Sequence, residues 1–178
     1  MYRDKTLIPT EAIRLAALGM LAERPRPYAA LASDVRHFAS RIMGPSLDLL
    51  GPSLELLRHE GLVAAAGDGG RADIELQISD AGVAELDRLL RANVRAPLDD
   101  LTKLVVALKM RFLDRLPPAD RRAQLDRLVE LYDNEIARLA DLRDNHRGTS
   151  GHLAAWLDLE IAQTEARLAW LRDYRARI

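Results

Sequence analysis

The chain contains no cysteine. This removes structural disulfides, thiolate metal ligands and cysteine nucleophiles together, and it points to a reducing cytoplasm. Aromatic residues make up only 4% of the 178 positions, so the core must be built from leucine and alanine, the composition of a helix-rich protein. No long hydrophobic run is present. The most apolar stretch, Ala12 to Leu21, is short and flanked by Glu11 and Glu23, so neither secretion nor a membrane role is expected. Charge of one sign is lacking too, with a net charge of −1. Residues 1–92 carry 11 Lys+Arg against 13 Asp+Glu, a balance of −2, and residues 93–178 carry 15 against 14, a balance of +1. Neither half is basic, so any nucleic-acid reading must rest on where the arginines sit rather than on their number.

What is present is periodicity. With 48% hydrophobic and 30% charged residues, the chain can bury a core and form at most two modest domains. Thr10-Glu11 marks a helix start, and Ile13, Ala16, Ala17, Met20 and Leu21 recur at helical spacing until Pro25. Tyr28, Leu31, Val35 and Phe38 mark a second helix that Gly44-Pro45 must end. A third, Ser46 to Glu60, carries Leu47, Leu50, Leu54 and Leu57 and stops at Gly61. Gly51-Pro52 interrupts it. Either Asp48 caps a helix whose first turn holds these residues, or a shorter helix begins with Pro52 at its first position.

Alternation then replaces helical spacing. Leu62 to Ala66 and Ala72 to Ser79, joined by Gly67-Asp68-Gly69-Gly70, predict a β-hairpin. Ile74, Leu76 and Ile78 share the face that must pack on the helices. From Asp80 a helix carries Val83, Leu86, Leu89 and Leu90, and Ala96-Pro97 marks a break. Beyond it, Leu98, Leu101, Val105, Leu108 and Phe112 predict one helix, ended by Leu116-Pro117-Pro118. Leu125, Leu128, Tyr132, Ile136 and Leu139 predict a second. After the polar loop Asn145 to Gly151, Leu157, Ile161, Thr164, Leu168 and Leu171 follow 4-3-4-3 spacing, a coiled-coil seam. The last two helices can pair with each other, but Leu153, Trp156 and Trp170 widen the apolar face, and a partner chain is its natural cover.

A helix that runs into a two-stranded hairpin is the outline of a winged helix. The expected fold is mainly α, with an N-terminal winged helix-turn-helix and two-stranded wing at residues 5–90 and a helical, coiled-coil-like dimerisation domain at 97–178. No glycine-flanked nucleophile or strand-to-helix phosphate loop frames a catalytic set, so no enzyme and no cofactor are expected. The four histidines, His37, His59, His146 and His152, do not form a metal-ligand pattern.

The order of these segments resembles the PadR family of bacterial transcriptional regulators, in the branch with a long C-terminal helical domain that includes virulence-gene activators. The family's helix-three pattern is kept at Pro52, Leu54, Leu57, Gly61 and Leu62, with Gly51 where the family has a tyrosine implicated in DNA contact. Tyr28-Ala29-Ala30-Leu31 approximates the family's Tyr-Glu-Leu segment, and Ser79-Asp80-Ala81-Gly82 resembles its Leu-Thr-x-x-Gly step. The resemblance implies a homodimer whose two winged helices bind a pseudo-palindromic operator in double-stranded DNA. It implies a repressor as the default and DNA contacts at Tyr28 and helix three.

From the residues themselves, Arg36, Arg41, Arg58 and Arg71 are the arginines nearest helix three and the wing, and phosphate contact is their functional reading. Arg41 and Arg71 are favoured because each lies in a loop, Arg41 flanking helix three and Arg71 forming the wing. Arg58 has Glu55 three positions before it on the same face. Ser46, Pro52 and Ser53 lie at the amino end of helix three, the end that meets base edges in helix-turn-helix proteins. Trp156 and Trp170, fourteen residues apart, either line a pocket for a small aromatic effector, as related regulators respond to aromatic compounds, or anchor a dimer interface. A second functional class stays open beside DNA binding: a dimeric winged-helix module that binds protein and not DNA, favoured by the −2 balance and Gly51.

Overall fold

The structure, a computed structural model, describes residues 7–44, 50–66, 75–94, 96–146 and 151–178. The first helix, α1 (Pro9–Glu23), begins one residue before the expected Thr10. Pro9 takes the first helical position, where its missing N–H is not needed, and the Glu11 carboxylate accepts from the Ile8 backbone N–H at 3.1 Å. Every position from Ala12 to Leu21 is buried except the half-buried Arg14, as expected of a helix enclosed on several sides. Two extended residues, β1 (Arg26–Pro27), lead into α2 (Tyr28–Met43), which buries Leu31, Val35 and Ala39 and ends at Gly44 with φ 88°. That left-handed conformation favours glycine.

The third helix, α3 (Leu50–His59), holds Gly51 and Pro52 in its first turn, where a proline removes no intrahelical hydrogen bond. Of the two arrangements open from sequence, this is the one with both residues inside the helix; Asp48 lies outside the described residues. Leu54 and Leu57 are buried, and Gly61, at φ 71°, turns the chain out of the helix. Strand β2 (Val63–Ala66) and strand β3 (Glu75–Ile78) pair antiparallel, Val63 with Ile78 and Ala66 with Glu75. The expected face is partly seen: Leu76 is buried and Ile78 packs against the core, while Ile74 lies outside the described residues.

The wing differs from expectation by one strand. The sheet has three strands in the order β1-β3-β2, with Arg26 opposite Leu76 and Pro27 opposite Glu75. A two-residue strand holds no alternation to read, and its proline fits only because β1 is an edge.

Ser79 caps α4 (Asp80–Arg91), its hydroxyl accepting from the Gly82 N–H at 3.1 Å. A Cβ at Gly82 would lie 2.1 Å from the Leu62 carbonyl oxygen, so the close approach of α4 to the start of the wing depends on the absence of a side chain. Asp99 caps α5 (Asp100–Arg111), and a short 3-10 turn, Leu113–Arg115, follows.

The chain forms two compact units, and they divide elsewhere than at the expected 90/97 boundary. Residues 99–116 belong with 1–95, whereas 96–98 join 117–178. The reason is packing: α5 lies on α1 and α2, and Phe112 sits where a Cβ at Gly19 would be 2.3 Å from its ring. Lys109, 1% exposed, donates from Nζ to the carbonyls of Leu89, Leu90 and Ala92 at 3.3, 2.7 and 2.6 Å. A buried ammonium thereby satisfies three acceptors at the end of α4.

The second unit is chiefly α6 (Pro118–Asn145) and α7 (Gly151–Arg177). Arg143 pairs with Asp158 near the connecting loop, and Arg122 donates to the Ile178 carbonyl at 3.1 Å at the far end, so the helices run antiparallel. Their mutual face buries Leu125, Leu128, Tyr132 and Leu139 of α6 and Leu157, Thr164, Leu168 and Leu171 of α7. The seam read from sequence is therefore closed within one chain. Among the described residues, no helix is long and apolar enough to cross a membrane.

Candidate nucleic-acid interface

The first unit resolves its charge problem by internal pairing. Arg14 of α1 reaches Glu60 at 2.9 Å and Glu85 at 3.4 Å, and Arg88 of α4 reaches Glu85 at 2.7 Å and Glu11 at 2.9 Å. Arg26 pairs with Asp34, Arg91 with Asp87, and Arg111 with Glu23. Hydrogen bonding to Arg88, aided by Arg14, holds the Glu85 carboxyl below its ordinary range. These pairs engage Glu11, Glu23, Asp34, Glu60, Glu85 and Asp87, six of the thirteen acids in the N-terminal half.

The arginines they leave over are the informative ones. Among the described residues, Arg36 and Arg41 of α2 and Arg58 of α3 have no acidic partner within ion-pair distance, and all three are exposed; Arg41, expected in a loop, lies in the last turn of α2. Net charge over the half-chain therefore understates the positive character of the α2–α3 surface, because a charge matched at 3 Å contributes little field beyond its pair.

Tyr28 opens α2 and is half-buried, its ring packed against the core. Burial, and then the Glu55 carboxylate, raise its pKa, with Arg58 opposing. It stands where α2 meets α3, so its position lies under the candidate surface more than on it. Pro52 and Ser53 lie in the first turn of α3. Ser46 and Arg71 lie outside the described residues.

Two side chains that sequence reasoning passed over stand out on α3. Leu56 is 48% exposed and His59 is exposed, both on the side away from Leu54 and Leu57. The signal was available, since Leu56 falls off the stripe of buried leucines at one hundred degrees per residue.

In the second unit, Trp156 and Trp170 are 52% and 50% exposed and share α7 with Leu159, also 52% exposed. Trp170 stacks on Tyr174, with ring centroids 5.1 Å apart and planes 10° apart. A shallow hollow of about 380 Å³ is lined by Trp170, Asp173, Ala176 and Arg177, and Trp156 is not in its wall. The two tryptophans are thus not brought into one pocket; they stand on one open helix surface.

Three helices followed by a strand-turn-strand wing, with α3 leading into that wing, define a winged helix-turn-helix protein. Residues 2–175 match the family described as "Putative AphA-like transcriptional regulator". The chain belongs to this AphA-like family of transcriptional regulators, and the resemblance read from the sequence is borne out at that level. No curated protein matches the sequence. Among solved structures, Bacillus subtilis PadR in complex with operator DNA is similar at 17% identity and a TM-score of 0.36, over 96% of this chain and 100% of that one. The PadR-like regulator BC1756 from Bacillus cereus is similar at 18% identity and a TM-score of 0.38, over 93% and 96% of the two chains. Bacillus subtilis PadR in complex with p-coumaric acid is similar at 15% identity and a TM-score of 0.37, over 97% and 98%.

Proposed function

We propose that this transcriptional regulator is a cytoplasmic, homodimeric, sequence-specific DNA-binding protein, acting as a repressor on a pseudo-palindromic operator. The observation that carries the reading is the unpaired set Arg36, Arg41 and Arg58 on α2 and α3, left over where Asp34, Glu60 and Glu85 are engaged by other arginines. In this reading α3 enters the major groove by its amino end, with Pro52, Ser53 and the exposed Leu56 toward base edges. Arg36, Arg41, Ser46 and, on the wing, Arg71 contact phosphates on either side. Residues 5–90 then form the DNA-binding domain with α5 as its buttress, and residues within 97–178 form the dimerisation domain, with Trp156 and Trp170 at the interface between copies. A small aromatic effector acting through the same tryptophans is the further expectation.

The deciding experiment is a mobility-shift titration with DNA from immediately upstream of the protein's own coding region, at several salt concentrations. Binding that weakens steeply with salt supports the reading, because each neutralised phosphate releases counterions. A salt-independent response, or none, counts against it. The exposed Glu55 on α3 and the −2 balance favour a second reading, a dimeric module that binds protein and not DNA. Alanine at Arg41 and Arg71 separates the two, since only a DNA binder loses operator affinity while staying dimeric.

A further inference from the structure

Arg26 is only 8% exposed, yet its hydrogen bonding is incomplete. Nη1 donates to Asp34 at 2.5 Å, and Nη2 donates to the Met20 carbonyl at 2.9 Å and to Glu23 at 3.5 Å. Nε is buried and has no acceptor among the described residues. A buried guanidinium donor is normally satisfied, because leaving it without a partner forfeits its hydration.

An open cavity of about 360 Å³ lies beside it, walled by Arg24, Arg26 and Arg111, by Glu23 and Asp34, and by His37 and the ring of Phe38. All belong to the first unit. Three guanidiniums face two carboxylates, and both acids are already engaged: Asp34 by Arg26, and Glu23 by Arg111 through contacts of 3.0 and 3.1 Å. Arg24 and His37, both exposed, have no side-chain partner among the described residues. The cavity is one anion short. The half-buried Phe38 also lines the cavity, with the Arg111 guanidinium over its ring at 5.3 Å from the centroid.

We propose that this cavity binds a small molecule bearing a carboxylate or phosphate group. Its oxyanion bridges Nε and Nη2 of Arg26 in the two-point geometry a guanidinium favours and takes a further donor from Arg24. Because Nε is sealed, the oxyanion reaches it as the 3.5 Å contact from Glu23 gives way, and the Glu23 carboxylate keeps Arg111. Since Arg26 sits on β1 opposite Leu76 of β3, the occupant is held one strand from the middle of the wing.

The test is a titration of the full-length ¹⁵N-labelled protein with sodium benzoate and with inorganic phosphate, following the arginine Nε–H resonances, with sodium chloride and benzyl alcohol as controls. No DNA is present, so the outcome does not depend on how the chain reads DNA. The expected result is saturable binding of at least one of the two anions at one equivalent per chain, with movement of the Arg26 Nε–H resonance that neither control reproduces. Which anion saturates tells carboxylate from phosphate. Arg24→Ala, at an exposed position, should weaken that binding about tenfold, the loss expected for one charge-assisted hydrogen bond. Absence of saturation, shifts reproduced by chloride, or saturable binding unchanged in Arg24→Ala would overturn the proposal.

Discussion

The two compact units solve the same problem, hiding leucine from water, to different extents. In the first, α1 is enclosed by α2, α3, α4, α5 and the wing, and Leu15, Leu18, Leu89 and Leu90 are fully buried. In the second, two helices face each other along one seam, and the remaining surface of α7 leaves both tryptophans half exposed. Two helices have one mutual face, and side chains beyond it stay open whatever their hydrophobicity. The first unit is complete as a folded object, whereas the second is stabilised further by anything that covers its tryptophans. This contrast supports the proposed homodimer.

The comparison can be broken at its strongest point by removing core volume from the first unit. Leu89→Ala, at a fully buried position, should cost about 2–5 kcal/mol in chemical denaturation; a loss under about 1 kcal/mol would mean that this core is not close-packed. Gly82→Ala should cost about 1–3 kcal/mol or more, because its Cβ meets the Leu62 carbonyl and not a side chain that can yield.

On the other side of the comparison, the double variant Trp156→Ala, Trp170→Ala should raise the dimer dissociation constant about thirtyfold or more by sedimentation, with helical content unchanged. Wild-type protein that sediments as a monomer at micromolar concentration would remove the basis of the contrast. Arg41→Ala should weaken operator binding and lower the salt slope by about one phosphate contact. Arg88→Ala, a cation already matched by Glu85 and Glu11, should leave that slope unchanged; equal effects at the two positions would refute the pairing argument.

The smallest effect concerns pH. The Glu85 carboxyl is held below the ordinary glutamate value of 4.5 by its hydrogen bonds with Arg88, so the folded state binds its proton less readily than the unfolded chain. Its contribution is therefore present above about pH 4.5 and is lost as pH falls through the lower folded-state value. Glu85→Gln should flatten the acid limb of the stability curve by under about 1 kcal/mol, as befits a partly exposed network.

Much of this architecture is legible in the residues because it is local. Leucine spacing places α2, α3, α6 and α7, Gly61 ends α3, and Ser79 with Gly82 opens α4. What the sequence hides depends on tertiary contact. A two-residue edge strand at Arg26 has no period, and the allegiance of α5 to the first unit turns on Gly19 making room for Phe112, ninety-three positions away in the chain. The same holds for the candidate interface. Arg36, Arg41 and Arg58 look no different in sequence from Arg14 or Arg88, and the arrival of Glu60 and Glu85 at Arg14 and of Glu11 at Arg88 from distant segments separates matched cations from unmatched ones. The tryptophans show the converse: their spacing places them near one stripe, but spacing does not tell a covered stripe from an open one.

The chain has only three lysines, Lys5, Lys103 and Lys109. Lys103 is exposed, and Lys109 is sealed under the end of α4. An amine-directed reagent should therefore acylate Lys103 on contact and reach Lys109 only in molecules whose first unit has opened. Nature has left an internal clock in this protein: the lag between the two modifications, read by mass spectrometry, times the opening of that unit without any probe being added.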